Sequence, residues 1–193
     1  MTSYRRLRVP GGTYFFTVCA VGEGSTILTD HVDLLRRAWS DTCRDKPFRT
    51  IAAVVLPDHL HAIWTLPAGD SDFSNRWGML KARFTRRYRA RMGYAPIPRS
   101  MSKARKAEAG VWQRRFWEHH IRDAADLRAH REYCWADPVR HGLVAQPADW
   151  ALSSLQREVR AGRIGADWRP ASLEGPGRMG EPPILRDSHH LSG

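Results

Sequence analysis

The chain has 193 residues, 42% of them hydrophobic, and 31 Lys and Arg against 20 Asp and Glu give a net charge of +11. That balance excludes a disordered chain and suits one domain with a sizeable core. The longest apolar run, Ile51 to Pro57, is strand-sized, which excludes a bilayer-crossing helix. The N-terminal charges have no apolar stretch behind them, so no secretory leader is expected. Cys19, Cys43 and Cys134 are scattered, without a C-x-x-C pair, and read as reduced thiols of a cytoplasmic protein.

In chain order, Gly11-Gly12 is a turn signal and Thr13 to Ala20 reads as a strand. Asp30 is the expected N-cap of a helix running to about Arg44, stopped by Lys46-Pro47. Phe48 to Leu56 and His59 to Leu66 read as two strands joined by Pro57-Asp58, hence antiparallel neighbours. Asp72 to about Met92 reads as a helix, with Trp77, Leu80 and Phe84 at helical spacing. Residues 93–110 read as a basic loop, and Val111 to Ile121 as a fourth strand. Asp123 is the expected cap of a helix from Ala124 to about Ala136 that Pro138 terminates. Trp150 to Arg163 reads as a last helix. The order β-α-β-β-α-β predicts an α+β, ferredoxin-like four-stranded antiparallel sheet with helices on one face. Residues 1–168 are expected to form a single domain, and the Gly- and Pro-rich 169–193 a disordered tail.

The positive charge is concentrated. Arg76 to Arg115 holds thirteen basic residues and one acid, Glu108, interleaved with Trp77, Phe84, Tyr88, Tyr94 and Trp112. Aromatic rings among cations suit unpaired bases on a phosphate backbone. Arg83, Arg86, Arg87, Arg89, Arg114 and Arg115 are the candidate DNA contacts. No lipidation motif or strongly apolar helix face points to a membrane instead.

Two patterns carry chemistry. His59 and His61 are two apart in a predicted strand, so both side chains leave the same face and can share one metal ion. Tyr133 and Asp137 are four apart in a predicted helix, so a carboxylate lies one turn from a phenol. An aspartate near a helix C-terminus opposes the helix dipole and needs a compensating partner, for which a cation would serve. His119, His120, His130 and His141 lie near these motifs with no role assigned to them.

Taken together, three stretches resemble a known family: Val54-Val-Leu-Pro-Asp-His-Leu-His-Ala-Ile-Trp64, Trp112-Gln-Arg-Arg-Phe-Trp-Glu-His119, and Tyr133-x-x-x-Asp-Pro-Val-Arg-His-Gly-Leu-Val144. With Gly11-Gly-Thr-Tyr-Phe-Phe-Thr-Val, they make the chain similar to REP-associated tyrosine transposases of the single-tyrosine HUH class, over most of its length to about Trp168. The resemblance implies Tyr133 as nucleophile and His59 and His61 as metal ligands. Asp137 stands where such enzymes usually carry an amide ligand. It further implies a divalent cofactor, Mn2+ or Mg2+, and a 5′-phosphotyrosine intermediate. The implied partner is single-stranded DNA carrying REP-type hairpins, handled by a monomer or homodimer in the bacterial cytoplasm at the nucleoid. Two other classes fit parts of the pattern. One is a non-catalytic nucleic-acid-binding sheet of the RNA-recognition kind, for which the required strand aromatics are not evident. The other is a non-haem iron oxygenase built on a two-histidine, one-carboxylate triad, which the concentrated positive charge disfavours.

Overall fold

The computed structural model describes residues 7–22, 24–94 and 110–171. Most of the 93–110 loop and of the 169–193 tail therefore lies outside the described residues. Gly11, at φ +70°, and Gly12 form the turn into β1 (Thr13–Cys19), and a Cβ on Gly12 would come within 2.9 Å of the Val9 carbonyl. After β1 follow α1 (Ile27–Asp30), α2 (Val32–Asp45), β2 (Arg49–Val55), β3 (His59–Thr65), α3 (Phe73–Arg91), β4 (Trp117–His120), α4 (Ala124–Arg140) and α5 (Leu155–Arg160). The strands form one antiparallel sheet in the order β2-β3-β1-β4, the ferredoxin-like arrangement the element order predicts.

The alternation of side chains along each strand divides the core in two. Tyr14, Phe16 and Val18 of β1 and Leu60, Ala62 and Trp64 of β3 face the crossover helices α2 and α3. There Trp64 stacks on Trp77 at 4.1 Å and meets the tilted Phe48 ring at 4.0 Å. Phe15, Val54 and Ile63 face the other way, against Cys134 and Trp135 of α4 and Leu155 of α5. The crossover helices keep to one face as expected, but α4 and α5 cover the second, which the one-face reading left bare.

Four boundaries differ from the sequence reading. Asp30 does not cap the long helix. It ends the single turn α1, where its carboxylate accepts from the Thr26 hydroxyl at 2.7 Å, and α2 starts beyond His31. The fourth strand is short, because Trp112 makes only a lone bridge to Ala20 before the chain leaves the ladder and Lys81 takes the Gln113 carbonyl at 2.9 Å. The expected helix from Trp150 begins late. Residues 152–154 instead run along the β2 edge through Val55 N–H to Leu152 O and Ser154 N–H to Ala53 O, shielding an otherwise open strand. Most consequentially, Pro138 lies inside α4. The helix stops at Gly142, at φ +65°, with Gly142 N–H bonded to Val139 O and Leu143 N–H to Pro138 O, a paired C-terminal cap. Asp123 caps α4 as expected, accepting from Asp126 N–H, and Asp72 caps α3, accepting from Asn75 N–H.

Part of the basic segment is structural. Arg76 is 1% exposed and donates to both carboxylate oxygens of Asp70, at 2.7 and 3.1 Å, and to the carbonyls of Lys46, Pro47 and Asp72. Arg83, Arg87 and Arg91 of α3 pair with Asp45, Asp41 and Asp33 of α2, a ladder that ties the two crossover helices together. Among the described residues no helix is long and apolar enough to cross a membrane. Replacing Arg76 by Leu removes the partner of a carboxylate and of three carbonyls at once. Urea unfolding should show a loss of about 3 kcal/mol, read as a lower midpoint at unchanged slope. A loss below about 1 kcal/mol would mean water replaces the guanidinium there.

Candidate active site

β3 puts His59 and His61 on the α4 side of the sheet, at 9% and 1% exposure. Register supplies a neighbour for each ring. Thr17 of β1 lies directly opposite His61, and its hydroxyl is 2.9 Å from His61 Nδ1. Asp58, in the turn before β3, is 2.7 Å from His59 Nδ1. With both Nδ1 atoms engaged, both Nε2 atoms turn to one point. There they meet Asp137, whose Oδ2 is 3.2 Å from His59 Nε2 and 3.1 Å from His61 Nε2.

Asp137 is 1% exposed and comes from the last turns of α4, past the point where Pro138 was expected to end the helix. Its helix-end position does draw cationic neighbours: besides the two imidazoles, Arg140 Nη1 lies 3.6 Å from Oδ1 and His141 Nε2 lies 3.6 Å from Oδ2. His141 has its ring 5.1 Å from that of His59, so it adds a further donor at the cluster's exposed side. Its place one turn beyond Asp137 is the only sequence signal for this position. One turn before Asp137, half-buried Tyr133 sets its ring edge-on to His61, at 5.3 Å between centroids, and beneath the Arg140 guanidinium at 4.5 Å. The structure thus brings His59, His61, Tyr133 and Asp137 together.

The charges are unequal. Burial pushes His59 down, but hydrogen bonds to Asp137 and Asp58 and their negative charges outweigh it and raise its pKa to about 9. His61 is deeper, and burial pushes it down against the pull of Asp137. Burial also opposes ionisation of Asp137, yet the adjacent His61 and His59 hold its carboxyl well below the usual carboxylate range. The cluster is an ionised carboxylate with one extra proton, held on His59.

The donor set fits a divalent ion. Ligands about 2.1 Å from a metal stand about 3 Å apart when adjacent on an octahedron, and Asp137 Oδ2 stands 3.2 and 3.1 Å from the two Nε2 atoms. Two imidazoles and a carboxylate suit manganese, and magnesium less well. A second cluster, His119, Asp126 and His130, looks similar in composition but not in geometry. Its two rings stack in parallel, 10° apart at 4.4 Å, so their in-plane lone pairs do not converge. Asp126 Oδ2 is already taken by Arg122 N–H, the Arg122 guanidinium and His119 Nε2. That cluster fastens α4 to β4.

The arginines singled out in the sequence divide in two. Arg83 and Arg87 belong to the ladder with α2, whereas Arg86, Arg114 and Arg115 are exposed and half-buried Arg89 lies over the Tyr94 ring. Those on α3 sit on the sheet face opposite His59 and His61, so the structure does not bring them to the cluster.

No protein-family model matches the chain. It is 42% identical over 168 residues to the REP-associated tyrosine transposase of Escherichia coli K12, covering 87% of this chain and 91% of that one. A Haemophilus influenzae protein given the same name provisionally is 41% identical over 170 residues, covering 87% and 93%. Among solved structures, a REP-associated tyrosine transposase bound to a REP hairpin superposes with a TM-score of 0.77 at 40% identity, over 92% of this chain and 96% of that one.

The raised His59 pKa gives a stability signature. Its folded value of about 9 lies above an unfolded value of about 6.5, so the stabilisation is complete below about pH 6.5 and is lost as pH rises towards 9. Melting temperatures measured in chelator should fall through that window. Asp137→Asn removes the charge that holds the proton and should flatten the fall; parallel curves for the two proteins would place the proton elsewhere.

Proposed function

Because this chain belongs to the REP-associated tyrosine transposase family, we propose that it binds REP-type hairpin DNA and cuts and rejoins the adjoining single strand through a covalent bond to Tyr133. The observation that carries this reading is the placement by α4 of a phenol and a carboxylate, one turn apart, over two imidazoles whose Nε2 atoms converge. The phenol oxygen attacks the backbone phosphorus, the bond to the 3′ oxygen breaks, and the 3′ end leaves as a hydroxyl. Bond energy is kept in the 5′-phosphotyrosine, so reversal rejoins the strand. His59, Asp137 and His141, with His61 against the same Asp137 oxygen, would hold Mn2+ or Mg2+, which when bound would supply charge neutralisation at the phosphate. Thr17 and Asp58 orient the two rings from behind.

Coverage of the sheet argues against the RNA-recognition alternative, which needs an open face for stacked bases, since α2 and α3 fill one side and α4 the other. Family membership likewise favours DNA chemistry over an iron oxygenase, although two histidines and a carboxylate do converge. The separation of the α3 arginines from the cluster suits a hairpin substrate: one surface for the stem, the other for the single strand beside it. The bacterial nucleoid is then the place of action.

Labelled hairpin DNA with a single-stranded flank, incubated with manganese, should give a covalent protein–DNA band. Tyr133→Phe should abolish the band and leave hairpin affinity within about twofold, because affinity resides in phosphate and base contacts. Excess chelator, or His61→Ala, should remove the band as well. A band surviving in the Phe variant would exclude Tyr133 as the attacking group.

Salt titration tests the basic surface. Replacing Arg86, Arg89, Arg114 and Arg115 together should flatten the log–log dependence of binding on salt by about 3, at roughly 0.7 per single-strand phosphate. Replacing Arg83 and Arg87 should flatten it less and lower the melting temperature more, because they bind Asp45 and Asp41. Equal slopes for wild type and the fourfold variant would place the DNA on another surface.

A further inference from the structure

We propose that Arg140 is a catalytic residue that binds a non-bridging oxygen of the scissile phosphate, an inference that rests on Tyr133 being the nucleophile. Arg140 follows Tyr133 by two turns and Asp137 by one, so the three share a face of α4. Its Cζ lies 4.5 Å from the centre of the Tyr133 ring, and its Nη1 lies 3.6 Å from Asp137 Oδ1. That distance gives an ion pair without a hydrogen bond. Nη1 is shielded from solvent and has no hydrogen-bond partner among the described residues. A buried guanidinium N–H without an acceptor is costly, and in this position it is bounded by the nucleophile on one side and the ligand cluster on the other.

A phosphate seated between Tyr133 and the ligand cluster would lie beside Arg140, which borders both, and would bring the missing acceptor with the matching charge. Arginine offers a planar fork of donors for such an oxygen and stays charged at every working pH. As the tyrosine oxygen bonds to phosphorus and the 3′ oxygen departs, negative charge builds on the non-bridging oxygens. A fixed donor there favours the transition state over the bound substrate. Arg140 itself gains and loses no proton. The phenol's proton leaves to solvent, and the departing 3′ oxygen takes one up. The same contact serves rejoining, because attack by the 3′ hydroxyl passes through the same pentacoordinate phosphorus.

The simpler role, a cation that only neutralises Asp137, makes a different forecast, and a neutral substrate separates the two. Single-turnover adduct formation is measured on two hairpin substrates that differ only at the scissile linkage, one a phosphodiester and the other an uncharged methylphosphonate. On the phosphodiester, Arg140→Ala should be slower by about 100-fold or more, the loss typical of one oxyanion donor, with hairpin affinity unchanged. On the methylphosphonate, which lacks the charged oxygen, the gap between variant and wild type should shrink by at least about tenfold. Arg140→Lys should fall between, because it keeps the charge and loses the fork. Should the alanine variant fail to fold, Lys and Gln at this position support the same comparison. An equal deficit on both substrates overturns the assignment and leaves Arg140 as a packing partner. If wild-type protein forms no adduct on the phosphodiester, the Tyr133 reading fails and this one falls with it.

Discussion

The site depends on one buried carboxylate. Asp137 is ionised at 1% exposure, near the negative end of a helix, where both burial and the helix dipole oppose it. The charge survives because two imidazoles from a different element meet the same oxygen. Asp137 therefore gives His59 and His61 a common anionic partner at a single oxygen. Thr17 and Asp58 set the two rings from behind, and Asp137 supplies the oxygen at which both Nε2 atoms meet.

The sheet prepares that meeting. Strand alternation puts His59 and His61 on one side and Leu60 and Ala62 on the other, so the chemical face and the packing face share a backbone without competing. Thr17 is well chosen for its place opposite His61. Its hydroxyl can donate to Nδ1 when Nε2 carries the ring proton, and can accept from Nδ1–H when Nε2 must present a lone pair. The ring can change tautomer without leaving its partner.

Much of this was legible in the sequence because it follows from period. The same-face pairing of His59 with His61, and of Tyr133 with Asp137, needs only the spacing of a strand and of a helix. The cap Asp123 is equally local. What escaped depends on contacts between distant segments. Pro138 reads as a helix stop until the cap at Gly142 shows that the helix ends later. Thr17 and Asp58 become partners of the histidines only through register and the turn. Arg83 and Arg87 look like free cations until α2 places Asp45 and Asp41 beside them. The helices at the second face, and the short fourth strand, likewise reflect tertiary packing overriding local pattern.

Everything the helix side of the site brings to the chemistry is carried by one rod. Tyr133, Asp137, Arg140 and His141 lie along the last turns of α4 and its cap, so their mutual spacing is set by helix geometry alone, at about 1.5 Å of rise per residue. Drift in the loops on either side of α4 cannot alter that spacing; it can only shift the whole rod against the sheet. The molecule therefore has a single mechanical tolerance to hold, the seating of one helix. The stacked His119 and His130 with their shared Asp126, at the far end of the same rod, act as its dowel.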